Sequence, residues 1–231
     1  MLIVPIGGLQ KSSLIDYPEK ISAIIFTQGC NFKCPYCHNP ELIKFSTDSS
    51  IDESVLFNFL KTRINKLDAV VITGGEPTLH KGLPEFIKQI KDLGFLVKLD
   101  TNGTNPEMLQ ELLDKKLIDY VAMDIKAPIE RYPEIVCAKV DTEAVLKSIE
   151  ILKSSGVDFE FRTTVVKSQL LHEDFEKIGE LINGSEKYYL QKFVPTKVLN
   201  EEFLKETTYS DAEFLPIIKS LEKYINCVEL R

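Results

Sequence analysis

At 231 residues, 44% of them hydrophobic and 27% charged, the chain is long enough for one sizeable core and has the composition of a soluble globular protein. A net charge of −7 argues against a general nucleic-acid binder, and no apolar run approaches the ~20 residues that span a bilayer. Five cysteines, three of them clustered, and a start (MLIVPIGGLQK) without a positive n-region point to a metal site in a reducing, cytoplasmic compartment, not to a disulfide framework. A single domain over 1–231 is the simplest organisation.

Ile21, Ala23, Ile24, Ile25 and Phe26 form a short apolar run rich in β-branched residues, which predicts a buried strand ended by Gly29. Asp68–Thr73 is a second strand, ending in Gly74-Gly75. Leu83 to Leu93 carries Phe86, Ile87, Ile90 and Leu93 at helical spacing. Phe95–Leu99 is a third strand, followed by Asp100-Thr101-Asn102-Gly103. Pro106 then suits a first helical turn, with Met108, Leu109, Leu112 and Leu113 on the apolar face. Ile118–Met123 is a fourth strand. Asp141 or Thr142 can cap the helix holding Val145, Ile149 and Leu152. Val157–Val166 and Tyr188–Val194 are strands five and six, separated by a helix with Phe175, Ile178 and Ile182. Ser210 opens a last long helix, and Ile225–Leu230 is a candidate final strand.

Repeated βα units predict a parallel sheet with helices outside. About six such units fall short of the eight that close a TIM barrel, so the expected fold is α/β, an incomplete (β/α)6 TIM-like barrel open on one side. The runner-up, a doubly wound sheet, expects a glycine-rich phosphate loop after its first strand. Here that turn carries Cys30, Cys34 and Cys37, spaced C-x3-C-x2-C. Thiolates at this spacing suit zinc or an iron–sulfur cluster, and the spacing alone leaves both open.

Parallel βα folds place their active sites at the C-terminal ends of the strands, and the unusual residues fall there repeatedly. Gly74-Gly75-Glu76-Pro77 follows strand two, Asp100-Thr101-Asn102 strand three, and Asp124-Ile125-Lys126 strand four. Arg162 lies in strand five and Gln191 in strand six. A metal loop facing paired glycines, carboxylates, a lysine and an arginine is a site for a zwitterionic ligand. His80 and His172 read as surface or helix-start residues, and Cys137 and Cys227 as packing cysteines outside the ligand set.

The cysteine spacing, the aromatic Tyr36 before the last cysteine and GGEP after the second strand resemble the radical S-adenosylmethionine superfamily. Within it, LIDYP at Leu14 to Pro18, FTQGCNFKCPYCHNPEL at Phe26 to Leu42, DTNG at Asp100 and MDIKAP at Met123 resemble the activating enzymes of glycyl radical enzymes. The activators of anaerobic ribonucleoside-triphosphate reductase are the most similar, and the likeness thins after about Pro195. The resemblance implies that Cys30, Cys34 and Cys37 ligate three irons of a 4Fe–4S cluster. The amino and carboxylate groups of S-adenosylmethionine would chelate the fourth. It implies that Gly74 and Gly75 admit the methionine end, that Glu76 pairs with its ammonium and that Lys126 meets its carboxylate. Tyr36 and His38 are expected against the adenine, and Asn102 and Arg162 near the ribose or sulfonium. Asp100 and Asp124 are placed to share a cation, while Pro77, Thr101, Ile125 and Gln191 complete the cofactor-binding set.

The same resemblance implies a glycyl radical enzyme as partner and, since no cysteine lies between Cys37 and Gly74, a single cluster fed by an external reductant such as flavodoxin or ferredoxin. Nucleic acid and membrane are not expected as partners. The alternatives are a small-molecule enzyme such as a 7-carboxy-7-deazaguanine synthase, or a non-catalytic iron–sulfur or zinc module. The alignment of polar motifs at successive strand ends speaks against the last, because a binding knot needs none of them.

Overall fold

The computed structural model describes residues 4–47 and 50–231. Its centre is one eight-stranded sheet whose spatial order is its sequence order. An edge strand, β1 (Ile6–Ser13), runs antiparallel to β2 (Ser22–Thr27). From β2 every neighbour is parallel, through β3 (Ala69–Gly74), β4 (Leu96–Thr101), β5 (Tyr120–Asp124), β6 (Asp158–Val165), β7 (Lys187–Lys192) and β8 (Cys227–Leu230). Such a singly wound order excludes the doubly wound alternative, whose strand order reverses midway. Among the described residues β1 and β8 do not pair, so the barrel stays open between them.

Six helical crossovers connect the parallel strands: α1 (Glu53–Lys61), α2 (Leu83–Asp92), α3 (Pro106–Asp114), a short α4 (Tyr132–Ile135) with α5 (Thr142–Ser154), α6 (His172–Leu181) and α7 (Asp211–Leu221). Their starts are written locally. Asn105 accepts from Met108 N ahead of Pro106, and Asp141, not Thr142, caps α5. Ser210 and Glu213 form a reciprocal capping box at α7. No helix among the described residues is long and apolar enough to cross a membrane.

The pleat sends alternate residues to opposite faces. Ile25, Ile72, Leu99, Val121, Phe161 and Leu190 point outward into the main core, against Leu56, Ile87, Leu109, Ile149, Phe175 and Phe214 of the helices. The inner face begins apolar, with Ile24, Ala69, Val71 and Tyr120 packed under Tyr17 from the turn after β1. Beyond those residues it becomes charged: Lys98, Asp100, Asp124, Glu160 and Arg162 all face inward. This polar lumen is what the helices do not cover, and it leads to the strand ends.

Three elements, β1, α1 and the single-turn α4, are absent from the sequence reading. The β1 segment, IGGLQKSS, holds two glycines and four polar residues and lacks strand propensity. Pairing with β2 makes it a strand. Helix α1 has only Leu56 and Leu60 buried, so its apolar stripe is short, although Asp52 is a proper cap for it.

Candidate active site

Strand β2 runs directly into the cysteine loop, and contacts from several strand ends hold that loop in place. Gly29, at φ +90, turns the chain. Its amide donates to Leu42 O at 2.7 Å, and its carbonyl accepts from Glu76 N at 2.7 Å, from the turn after β3. Lys33 N donates to Val136 O at 2.9 Å, beyond β5, while Pro35 O accepts from Asn200 N at 3.0 Å, beyond β7. Phe32, 2% exposed, anchors the loop in the core.

Of the residues expected at the site, Cys30, Cys34, Tyr36, Cys37, His38, Gly74, Gly75, Glu76, Asp100, Thr101, Asn102, Asp124, Lys126 and Arg162 line one cavity. Three lie outside it. Pro77 is buried in a short 3-10 turn and Ile125 is buried in the core, whereas Gln191 faces a second chamber deeper in the lumen. That chamber is framed by Ile15, Asp16, Lys98, Arg162 and Arg231 as well, so Arg162 borders both spaces.

The GGEP turn is tighter than a ligand alone requires. A Cβ on Gly74, at φ +114, would lie 2.4 Å from Thr27 N, and one on Gly75 would lie 2.1 Å from Gly29 O. Both glycines are therefore demanded by backbone packing against β2 and the cysteine loop, in addition to any ligand they admit. Glu76 is likewise engaged within the chain. Its carboxylate, 1% exposed, accepts from Thr78 N (3.1 Å), Thr78 Oγ1 (2.5 Å), Thr101 Oγ1 (2.7 Å) and Asn102 N (2.7 Å). Three of these bonds fall on Oε1 and one on Oε2. Burial pushes the Glu76 carboxyl above its ordinary value, against the lowering effect of those donors. Glu76 thus ties the turn after β3 to the turn after β4.

Asn102 continues the tie. Its Nδ2 donates to Asn31 Oδ1 at 2.8 Å, and Asn31 Nδ2 donates to Thr104 Oγ1 at 2.8 Å. Asn31 had no signal in the sequence beyond its place between two cysteines. His38 is held from the far side, with Nε2 3.0 Å from Val194 O and its ring stacked on Phe193 at 5.6 Å. Of the two histidines read as surface or helix-start residues, His80 is buried after the 3-10 turn and packs edge-on to Phe45, whereas His172 does start α6. Cys137 is exposed and Cys227 is half-buried on β8, so neither is a fully buried packing residue.

Between Asp100 and Asp124, where a bound cation is expected, a side chain stands instead. Arg162 donates from Nη1 to Asp100 at 3.1 Å and from Nε to Asp124 at 3.0 Å. Lys98, 2% exposed, adds a 2.6 Å contact to Asp100, and Lys126 a 3.0 Å contact to Asp124. The result is a ladder of alternating charges, Lys98–Asp100–Arg162–Asp124–Lys126, with one surplus positive charge. Burial alone would raise both carboxyls, yet the Arg162 charge and the flanking lysines outweigh it. Asp100 falls below its ordinary range and Asp124 is held at about 2. Burial would also discharge Lys126, but the Asp124 carboxylate keeps its ammonium well above the usual value. The cationic end of the ladder therefore stands beside the cysteines.

Burial pushes the Cys30 thiol up to about 12 and the Cys34 thiol to about 11, and it raises Cys37 as well. Free, these are neutral thiols; ligation must remove their protons. Among the described residues no three His, Cys, Asp or Glu side chains converge closely enough to hold one metal ion. A four-iron cluster takes each thiolate at a separate corner, a looser demand than a mononuclear zinc site makes. One buried hydroxyl beside the cysteines, Tyr36 Oη, lacks a hydrogen-bond partner. The donor set and that unsatisfied atom fit an iron–sulfur group.

Comparison with known proteins decides the family. Residues 24–182 match the family model of the radical SAM superfamily. The chain belongs to the radical SAM superfamily. It is 41% identical over 231 residues to a protein of Methanocaldococcus jannaschii named as a glycyl-radical enzyme activating enzyme, covering 98% of this chain and 95% of that one. A domain of pyruvate-formate lyase-activating enzyme from Bacteroides vulgatus superposes with a TM-score of 0.57 at 17% identity, over 71% of this chain and 98% of that one. SuiB of Streptococcus suis bound to S-adenosylmethionine gives 0.66 at 14% identity, over 87% and 47%. At such identities the two structures speak for the fold, an open partial barrel. This radical SAM oxidoreductase works with a 4Fe–4S cluster and S-adenosylmethionine.

Proposed function

We propose that this radical SAM enzyme activates a partner glycyl radical enzyme, an anaerobic ribonucleoside-triphosphate reductase, by removing a hydrogen atom from a backbone glycine. The full-length similarity to a protein named for that activity supports an activase, and the DTNG and MDIKAP stretches carry the narrower assignment. The observation that carries the reading is the opening of the barrel between β1 and β8. A reactive radical needs its substrate carbon at near-attack distance, ~3–3.5 Å, and a protein loop can reach the strand ends only through such a gap.

The chain's residues take the following parts. Cys30, Cys34 and Cys37 hold the cluster. Lys126, cationic and 13% exposed, faces the cavity as the partner of the cofactor carboxylate. Glu76 and Asn102 fix the GGEP and DTNG turns around the methionine end, so Glu76 acts by positioning. The Tyr36 ring and His38 border the adenine. Arg162, common to the cofactor cavity and the deeper chamber, stands where cofactor and substrate loop meet. Held by Cys30, Cys34 and Cys37, the cluster would supply the single electron needed for reductive cleavage of the cofactor's sulfonium and so for hydrogen-atom removal from the partner's glycine. The electron comes from an external one-electron protein, flavodoxin or ferredoxin, since the stretch between Cys37 and Gly74 contributes no further cysteine.

Mixing the reduced, cluster-loaded protein with S-adenosylmethionine and an anaerobic ribonucleotide reductase from the same cell should give a glycine-centred doublet in electron paramagnetic resonance. The doublet should vanish when the partner's glycine is changed to alanine. Cofactor cleavage with no doublet in any glycyl radical enzyme of that cell refutes the reading and turns attention to a small-molecule substrate.

A further inference from the structure

Asn31 lies between Cys30 and Cys34, yet its side chain is spent on the turn after β4. Its Nδ2 donates to Thr104 Oγ1 at 2.8 Å, Thr104 Oγ1 donates to Asn102 Oδ1 at 2.7 Å, and Asn102 Nδ2 donates back to Asn31 Oδ1 at 2.8 Å. The three side chains close a ring. Its sense is set by the backbone, since Thr104 N also donates to Asn102 Oδ1, at 3.0 Å. A peptide N–H can only donate, so Oδ1 must be the Asn102 atom turned to Thr104 and Nδ2 the atom turned to Asn31. Asn31 must then answer with its own Oδ1 and direct its Nδ2 at Thr104. The backbones on both sides are pinned by Glu76, whose N donates to Gly29 O and whose Oε2 accepts from Asn102 N, each at 2.7 Å.

Asn102 is 6% exposed and lines the cofactor cavity, whereas Asn31 is not among the residues that line it. Both lone pairs of the Asn102 oxygen are taken by Thr104, and one Nδ2 hydrogen by Asn31. A single N–H is left uncommitted, so this amide has a donor to offer the cavity and no acceptor. We infer that Asn31 is a positioning residue for the cofactor: it fixes the Asn102 amide so that the remaining Nδ2 hydrogen meets an acceptor atom of S-adenosylmethionine. A donor already held by a neighbouring side chain loses little freedom when the ligand arrives, and the affinity gains by that difference. The amide is thus oriented by the same loop that carries Cys30, Cys34 and Cys37. The inference rests on the superfamily's cofactor and is independent of the identity of the partner enzyme.

The test is calorimetric titration of S-adenosylmethionine into the full chain, cluster-loaded and unreduced, with iron per chain measured alongside. Asn31→Ala should weaken the affinity roughly three- to tenfold, the worth of one neutral hydrogen bond, at full iron content. Asn31→Asp keeps an oxygen for Asn102 Nδ2 and should restore most of the affinity, a rescue that general damage to the loop would not show. In an Asn102→Ala background, Asn31→Ala should cost nothing further, because it acts through that amide. Unchanged affinity in Asn31→Ala overturns the inference. So does an Asp variant as weak as the Ala variant, or an undiminished loss in the Asn102→Ala background. If Asn31→Ala loads iron poorly, Thr104→Val breaks the ring from the other turn and leaves the cysteine loop's sequence intact. It should weaken the affinity by a similar factor at full iron content, and an unchanged affinity there also overturns the inference.

Discussion

At the residue scale, the charge ladder shows how a lumen can hold five ionised side chains that are largely withdrawn from solvent. Each inner charge has an opposite neighbour on either side, so the burial cost is offset pair by pair, and removing one rung exposes the rest. The ladder has a consequence for acid stability. Asp124 titrates at about 2 in the folded chain, against ~3.9 for an unfolded aspartate. Its stabilising contribution is complete above pH ~3.9 and is lost as the pH falls toward about 2. Unfolding free energy measured by urea titration should therefore drop steeply between about pH 4 and pH 2. Asp124→Asn should be less stable at neutral pH and show a shallower slope in that window. Equal slopes would mean that Asp124 is not held ionised by Arg162.

At the element scale, the turn after β3 is a packing device before it is a ligand site. Gly74 and Gly75 lie under the backbone of Thr27 and Gly29, so the cysteine loop and the GGEP turn are one unit. Gly75→Ala should consequently lower both stability and iron content, not S-adenosylmethionine affinity alone. Overpacking of this kind costs roughly 1–3 kcal/mol. Denaturant midpoints together with iron per chain after reconstitution measure it, and a variant with normal stability and full iron would contradict the packing argument. Most elements were legible because their signals are local. The apolar spacing of α2 and α3, the caps Asp141 and Ser210, and the β-branched runs of β2 and β3 need no tertiary context. Strand β1 was not legible, because its only reason to be a strand is the free edge of β2.

At the scale of the whole molecule, two aliphatic side chains, Leu14 and Ile15, stand exposed in the turn after β1, and Ile15 frames the second chamber together with Arg231 just beyond β8. On the activase reading they form the rim that a partner protein meets. Leu14→Asp places a charge there without touching either cavity. It should reduce the yield of partner glycyl radical roughly tenfold, the range for losing an apolar contact at an interface. Cleavage of S-adenosylmethionine in the absence of partner should stay the same. A parallel loss of both would place Leu14 in the cofactor machinery and remove the docking argument.

What the sequence determined by itself was the chemistry and its address. Cysteine spacing, GGEP, DTNG and MDIK are contiguous strings, and a parallel βα chain delivers every strand end to one rim, so their meeting follows from topology. Contacts between strings separated by tens of residues were decided only by the tertiary structure. Asn31 reaches Asn102, Glu76 spends its carboxylate on Thr101 and Asn102, and Arg162 fills the place expected for a bound cation between Asp100 and Asp124. Lys98 carried no signal, because an isolated lysine in a strand reads as a solvated face. Only the closing curvature of the sheet turns that face into a buried lumen, where a lysine must find a carboxylate.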